Sequence, residues 1–287
     1  MTQDDPQKEQ NTYLLDSESP DEMARLLSLD RFLTEAMGGP LAWVPELPDH
    51  ARILDIACGP GGWAIAAATR YPSCEVVGVD ISKLMTDYAR VSADIRKVPN
   101  VSFVLADVTK PLPFDDGTFD IVNARLLIAV LLRQTWEPFI AECTRVLRPQ
   151  GVLLLTEPID NGITNSPAYE RMQALTYLMM WRAGYGFSVD GRTFDASFML
   201  PHLLRKAGYS DIQHAAYALE FSAGTRIWAD IYHICEITYK QGQSNYVKTG
   251  LASQEEIEHA YQRMLAEMKQ ADFCGMYHYM SIAGIKL

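Results

Sequence analysis

Between Arg52 and Pro158 the chain repeats one pattern: a short run rich in Val, Ile and Leu, then a stretch the length of a helix. The runs are RILDIA (52–57), EVVGVD (75–80), VSFVLAD (101–107), FDIVNAR (119–125) and GVLLLTEP (151–158), with helices predicted near 62–71, 83–96 and 135–147. Strands that are apolar on both faces and separated by helix-sized segments pair in parallel, because a crossover must carry the chain back to the starting end of the sheet. Two further strands are predicted near 212–221 and over MYHYMSIAGIKL (276–287). The expected fold is therefore α/β: a Rossmann-like, doubly wound, mostly parallel seven-stranded sheet with helices on both faces. In such a sheet ligands bind beyond the carboxyl ends of the strands.

The residues at those ends are the informative ones. The first run leads into ILDIACGPGGWA (53–64), whose last six residues fit G-x-G-x-x-A, the fingerprint of a dinucleotide-binding turn. Glycine there lets backbone turn tightly and approach a ligand without a Cβ in the way. Asp55 lies inside the first run. Asp80 closes the second, 21 positions beyond Gly59, where a carboxylate can accept both hydroxyls of a ribose. Asp107 closes the third and would meet an exocyclic amine, while Asn123, Ala124 and Arg125 close the fourth beside the same crevice. A glycine-rich turn alone also serves a tight β-to-α connection, and a lone aspartate is often a helix cap. The loop with two strand-terminal acids is less easily explained by capping and points to a nucleotide. The loop carries no basic residue to neutralise a pyrophosphate.

Outside this region the order is looser. A helix opens at SPDE (19–22), with Ser19 as N-cap, Pro20 at its first position and Glu22 reaching back, and stops at Gly38-Gly39-Pro40. Further helices are predicted over 165–185, 197–209, 225–242 and 253–270, the last opening on a capping box of Ser253 and Glu256. Residues 1 to about 12 are polar and expected to fray. No internal repeat or low-complexity tract is evident. The expected organisation is one elaborated domain: an N-terminal helical lid (1–50), a core (51–160), and the rest of the sheet with helical cap insertions (161–287).

With 287 residues and a net charge of −11, the chain repels phosphate backbones and anionic membranes, so nucleic acid is not an expected partner. Its five cysteines are widely spaced without a C-x-x-C pair, which argues against a disulfide framework or a metal site and suits a reducing cytoplasm. The acidic opening MTQDDPQKEQ is no secretory signal, and the most apolar window, 121–132, is too short to span a bilayer and contains Arg125. A soluble, cytoplasmic protein is expected.

The segment from Ile53 to Pro158 resembles the core of class I S-adenosylmethionine (SAM)-dependent methyltransferases, of the type near the ubiquinone and menaquinone biosynthesis enzymes. The resemblance rests on ILDIACGPGGWA, VVGVDIS, ADVTKPLPFDDGTFDIV and LRPQGVLLLTEP; the third and fourth are the most specific. The lead-in YLLDSESPDEMARLL (13–27) is similar to a helix that closes over SAM in relatives. The resemblance implies SAM as cofactor and S-adenosylhomocysteine as product. It implies that Ala57, Cys58 and Gly59 pass the methionine part, with Asp55 shaping the turn. Asp80 would hold the ribose hydroxyls, Ile81 would pack on adenine, and Asp107 would take the adenine amine beside the Val108 backbone. The Asn123 carbonyl would meet the methionine ammonium, while Arg25 and Tyr13 would contact its carboxylate. Ala57 departs from the pattern, since a glycine usually stands there, and a slightly different backbone path is expected.

Methyl transfer from a sulfonium is an in-line displacement that needs alignment and exclusion of water, and a base only if the acceptor must lose a proton. The acceptor, a small molecule taking the methyl on O, N or C, is expected between the lid and residues 158–200 and 225–280. Candidate lining residues are Arg125, Tyr177, Trp181, Tyr185, Trp228 and Tyr232, although aromatics at such spacing also build cores and dimer contacts. His233 and His278 are the candidate bases, being the two histidines on the cap helix and the last strand. Two other readings remain open: an NAD-dependent oxidoreductase, from the literal glycine fingerprint, and a non-catalytic SAM-binding regulator. The oligomeric state is open too, a homodimer included.

Overall fold

The computed structural model describes residues 13–42, 44 and 47–287. The polar opening stretch expected to fray lies outside them. Five parallel strands, β1 (Arg52–Ile56), β2 (Glu75–Asp80), β3 (Val101–Leu105), β4 (Phe119–Arg125) and β5 (Leu147–Pro158), alternate with helices α2 (Gly62–Arg70), α3 (Lys83–Arg96) and α4 (Trp136–Val146). The antiparallel strands β7 (Tyr209–Glu220) and β8 (Gly275–Lys286) complete seven long strands, and β6 (Ile163–Thr164) adds a two-residue eighth. The spatial order is β3-β2-β1-β4-β5-β8-β6, with β7 also on β8. The order reverses between β1 and β4, which opens a crevice at their carboxyl ends.

Side-chain alternation along the central strands divides the core into two layers. Ile53, Val76, Ile121 and Leu154 point to one face, packing on Trp63, Ala64, Ala67 and Ala68 of α2 and on Ala89 and Ala93 of α3. Leu54, Ile56, Val77, Val79, Val122 and Leu155 point to the other, where Trp136 and Phe139 of α4 join a larger cluster. That cluster continues into a helical cap of α1 (Pro20–Ala36), α5 (Pro167–Arg182), α7 (Trp228–Lys248) and α8 (Gln254–Met268); the short α6 (Leu200–Lys206) precedes β7.

Two helix starts show how context decides a cap. At α8 the reciprocal capping box of Ser253 and Glu256 forms as expected. At α1 it does not: Ser19 makes no side-chain cap, and Glu22 turns inward, wholly buried. There it accepts from Arg25 Nε and Nη2, each at 2.7 Å, and from the Tyr13 hydroxyl. The pull of a buried guanidinium outweighs a solvent-exposed backbone cap. Helix α7 also runs through Gly242 to Lys248 rather than stopping there. No helix of the described residues is long and apolar enough to cross a membrane.

Candidate functional site

A cavity of about 280 Å³ starts at the carboxyl ends of the central strands and continues into the helical cap. Its floor is the glycine loop after β1. Cys58 N donates to Val79 O and Gly59 N donates to Asp80 Oδ2 at 2.8 Å, which ties the loop to the end of β2. Ala57 has φ +53°, in the left-handed region that glycine enters freely and alanine enters at a cost of about 1–2 kcal/mol. The expectation of a different backbone path therefore gives way: the position keeps a glycine-like conformation, and the alanine carries the strain. At Gly62 a Cβ would collide with the Asp30 carboxylate, so a glycine is what lets α1 lie directly on the loop.

Besides Asp30, three carboxylates border this part of the cavity. Asp80 is oriented by the amides of Gly59 and Ser82; burial raises its carboxyl above the usual range, although those hydrogen bonds oppose the shift. Asp107 is more open. Its partial burial is outweighed by bonds from the Thr109 hydroxyl and amide and by Lys110, so it is held below the usual range. Asp55 accepts from Asn123 Nδ2 at 2.7 Å through Oδ1, while its buried Oδ2 has no partner. Burial pushes Asp55 up to about 7, with the Arg125 charge pulling the other way. Burial and the neighbouring Asp80 and Asp55 carboxylates push the Cys58 thiol up as well, which disfavours the thiolate.

The lid closes over this floor. The Ser82 hydroxyl donates to Ser17 O, and the Glu18 carboxylate accepts from the Lys83 and Leu84 amides at the start of α3. Arg125 pairs with Asp30 and donates to the Thr34 hydroxyl, pinning α1 to the end of β4.

Most cofactor residues expected from the sequence come together here: Tyr13, Arg25, Asp55, Ala57, Cys58, Gly59, Asp80, Ile81, Asp107 and Val108 all border the cavity. Asn123, expected to offer its carbonyl, does not; it is wholly buried inside β4, and its Nδ2 donates to Asp55. Of the expected acceptor residues only Arg125 borders it, and its guanidinium is taken by Asp30. Tyr177 lies behind the wall, accepting from the Asn161 amide and packing on Phe194. Trp181 lies against Gly191, and the Tyr185 carbonyl accepts from Arg133. Trp228 donates to Met268 O and packs on Tyr232 outside the cavity. Neither histidine reaches the site: His233 is exposed beside Glu236, and His278 is held by Asp160 at 2.7 Å and does not border the cavity, unlike its neighbours Tyr277 and Tyr279.

The residues that do form the cap half include Ile231, Ile234, Thr238, Tyr239, Gly242 and Tyr246, which recur at helical spacing along α7. That stripe was the available signal. Trp228 and Tyr232 drew attention by size, but neither borders the cavity.

Residues 53–151 match the family model of a methyltransferase domain. The chain is 31% identical over 192 residues to trans-aconitate 2-methyltransferase of Variovorax paradoxus, covering 67% of this chain and 64% of that protein. It is 38% identical over 137 residues to demethylmenaquinone methyltransferase of Thermus thermophilus, covering 45% and 59%. The alignments thus span about three fifths of the length of these curated relatives. Among solved structures, the YcgJ protein from Bacillus subtilis superposes with a TM-score of 0.56 at 19% identity, covering 88% of this chain and 98% of that one, which shows a shared fold. The strand order, the glycine loop with its strand-terminal acids and these matches identify residues 53–151 as a methyltransferase domain.

Proposed function

We propose that the protein is a SAM-dependent methyltransferase acting on a small-molecule acceptor. The observation that carries this reading is the single cavity that joins the glycine loop and strand-terminal acids to an apolar pocket under the cap. The chain's own residues fit the cofactor. Asp80 stands where a ribose diol would bridge its carboxylate, and Asp107 where an adenine amine would donate. The unpartnered Asp55 Oδ2 is a ready acceptor for an α-ammonium, a better one than the buried Asn123. SAM would supply an activated methyl on a sulfonium. The lid and the cap supply alignment and exclusion of water, worth about 7–11 kcal/mol at best.

The cap half of the cavity offers no base. Among the described residues its ionisable groups are Arg25, Cys235 and tyrosines; burial raises the Cys235 thiol to about 11 and raises Tyr239, Tyr277 and Tyr279 as well. The acceptor atom must therefore arrive nucleophilic, and His233 and His278 have no part in the proposed transfer.

Calorimetry and thermal unfolding test the proposal. S-adenosylhomocysteine at 100 times its Kd should add about 2.7 kcal/mol of stability, and NAD should add none. Labelled SAM with a panel of metabolites should then give a methylated product. Binding of NAD without binding of S-adenosylhomocysteine would overturn the reading, and tight SAM binding with no transfer to any acceptor would favour a regulator.

A further inference from the structure

We infer that Thr238, Tyr239 and Gly242 form an oxygen-binding notch for an uncharged, largely apolar acceptor, an inference that rests on the function proposed above. The three residues fall on one stripe of α7, Gly242 lying one turn beyond Thr238 and three residues beyond Tyr239, and all three border the cavity.

Each differs from most comparable residues among those described. The helical threonines Thr69, Thr86, Thr144 and Thr176 donate to the carbonyl four residues back, respectively Ile65, Ser82, Ile140 and Met172. Thr238 does not, and its buried hydroxyl has no partner. The buried hydroxyls of Tyr169 and Tyr246 are bonded, to Asn161 O and to Thr176. Tyr239, only 2% exposed, leaves its hydroxyl without a partner. An unpaired buried hydroxyl costs stability, and two such groups one residue apart are hard to explain by packing. Gly242 is the third anomaly. It sits inside a helix, where glycine is unfavourable relative to alanine, yet a Cβ there would make only ordinary contact with the Tyr246 ring at 3.5 Å. No described residue crowds that position, and Gly242 borders the cavity.

Both hydroxyls can donate, so the group recognised is an oxygen acceptor: a carbonyl, ether or hydroxyl. The charge of the acceptor follows from what surrounds the notch. Arg25 is the cation nearest the cap half, and both its Nε and Nη2 are engaged by Glu22. Arg125 is held by Asp30. Each of these cations already has its charge matched by a carboxylate, so neither adds net positive charge to the cavity, and Met179, Met180, Ile231 and Ile234 offer apolar wall. The lining of α7 from Ile231 to Tyr246 extends for about 22 Å at the rise of an α-helix, room for an elongated molecule.

The test uses the protein saturated with S-adenosylhomocysteine and two isosteric probes, 4-butylacetophenone and 4-butylbenzoate, in isothermal titration. The wild type should bind the ketone and not the benzoate. Tyr239→Phe and Thr238→Val should each weaken the ketone about 5–10-fold, the effect of one hydrogen bond, and Gly242→Ala should weaken it by filling the space. All three should raise the Tm of the ligand-free protein, by about 1–3 °C for Gly242→Ala. Loss of binding with gain of stability separates a ligand site from a structural role. Unchanged ketone binding in the three variants, tighter binding of the benzoate, or a fall in Tm for Tyr239→Phe and Thr238→Val would overturn the inference. S-adenosylhomocysteine is titrated separately beforehand. Its failure to bind, with the ketone pattern intact, would sink the methyl-donor reading and leave the notch standing.

Discussion

Ala57 and Asp55 show how single residues in the loop trade stability for a site. Ala57 holds a left-handed φ that a glycine would hold without strain. Ala57→Gly should therefore stabilise the folded protein, by about 0.5–1 kcal/mol after allowing for the greater freedom of glycine when unfolded, measured by urea denaturation. Asp55 is poised by burial near 7. A carboxyl whose folded value lies above its ordinary one favours the fold while protonated, so ligand-free stability should fall as pH rises from about 4 to about 7. An α-ammonium needs the ionised form. Affinity for S-adenosylhomocysteine should thus rise about tenfold per pH unit below 7 and level off above it, with a proton released on binding. Titration in buffers of different ionisation enthalpy checks this, and Asp55→Asn should flatten the profile. The sequence marked Asp55 through its place before the glycine loop, but the unpartnered oxygen needed the Asn123 contact across strands to be seen.

At the scale of elements, α1 is attached to the rest of the fold by the buried Leu29, Phe32 and Leu33 and by one ion pair across a long sequence gap. Arg125 and Asp30 have side chains only 11% and 19% exposed, so removing one charge leaves the other in a poorly solvated place. Arg125→Ala should cost about 1–3 kcal/mol, and amides of α1 should exchange faster than those of α3 by hydrogen exchange. Because the same guanidinium lowers Asp55, the pH at which ligand affinity levels off should move upward in that variant. Arg125 was visible in the sequence as a strand-end cation and a candidate lining residue. Its partner is 95 positions away on the lid, a distance in sequence that no local pattern bridges. The strands and the helices α2, α3 and α4 were legible because each is defined by its own period. The boundaries of α7 were not, since Gly242 reads as a stop signal while the helix continues through it, its neighbours on other elements outweighing the weak propensity of one glycine.

For the whole molecule, the sequence by itself determined the doubly wound sheet, the glycine loop and the acids that border the cofactor half of the cavity. Those follow from hydrophobic alternation and from residues fixed at the ends of consecutive strands, which are local facts about the chain. The tertiary structure decided the acceptor half. Four cap helices pack over the sheet, and which face of each turns inward depends on contacts between segments far apart in sequence. Aromatic size alone suggested Tyr177, Trp181, Tyr185, Trp228 and Tyr232, but large rings fill cores as readily as they line cavities. Packing put the space beside Thr238, Tyr239 and Gly242, since a cavity forms where side chains fall short of one another.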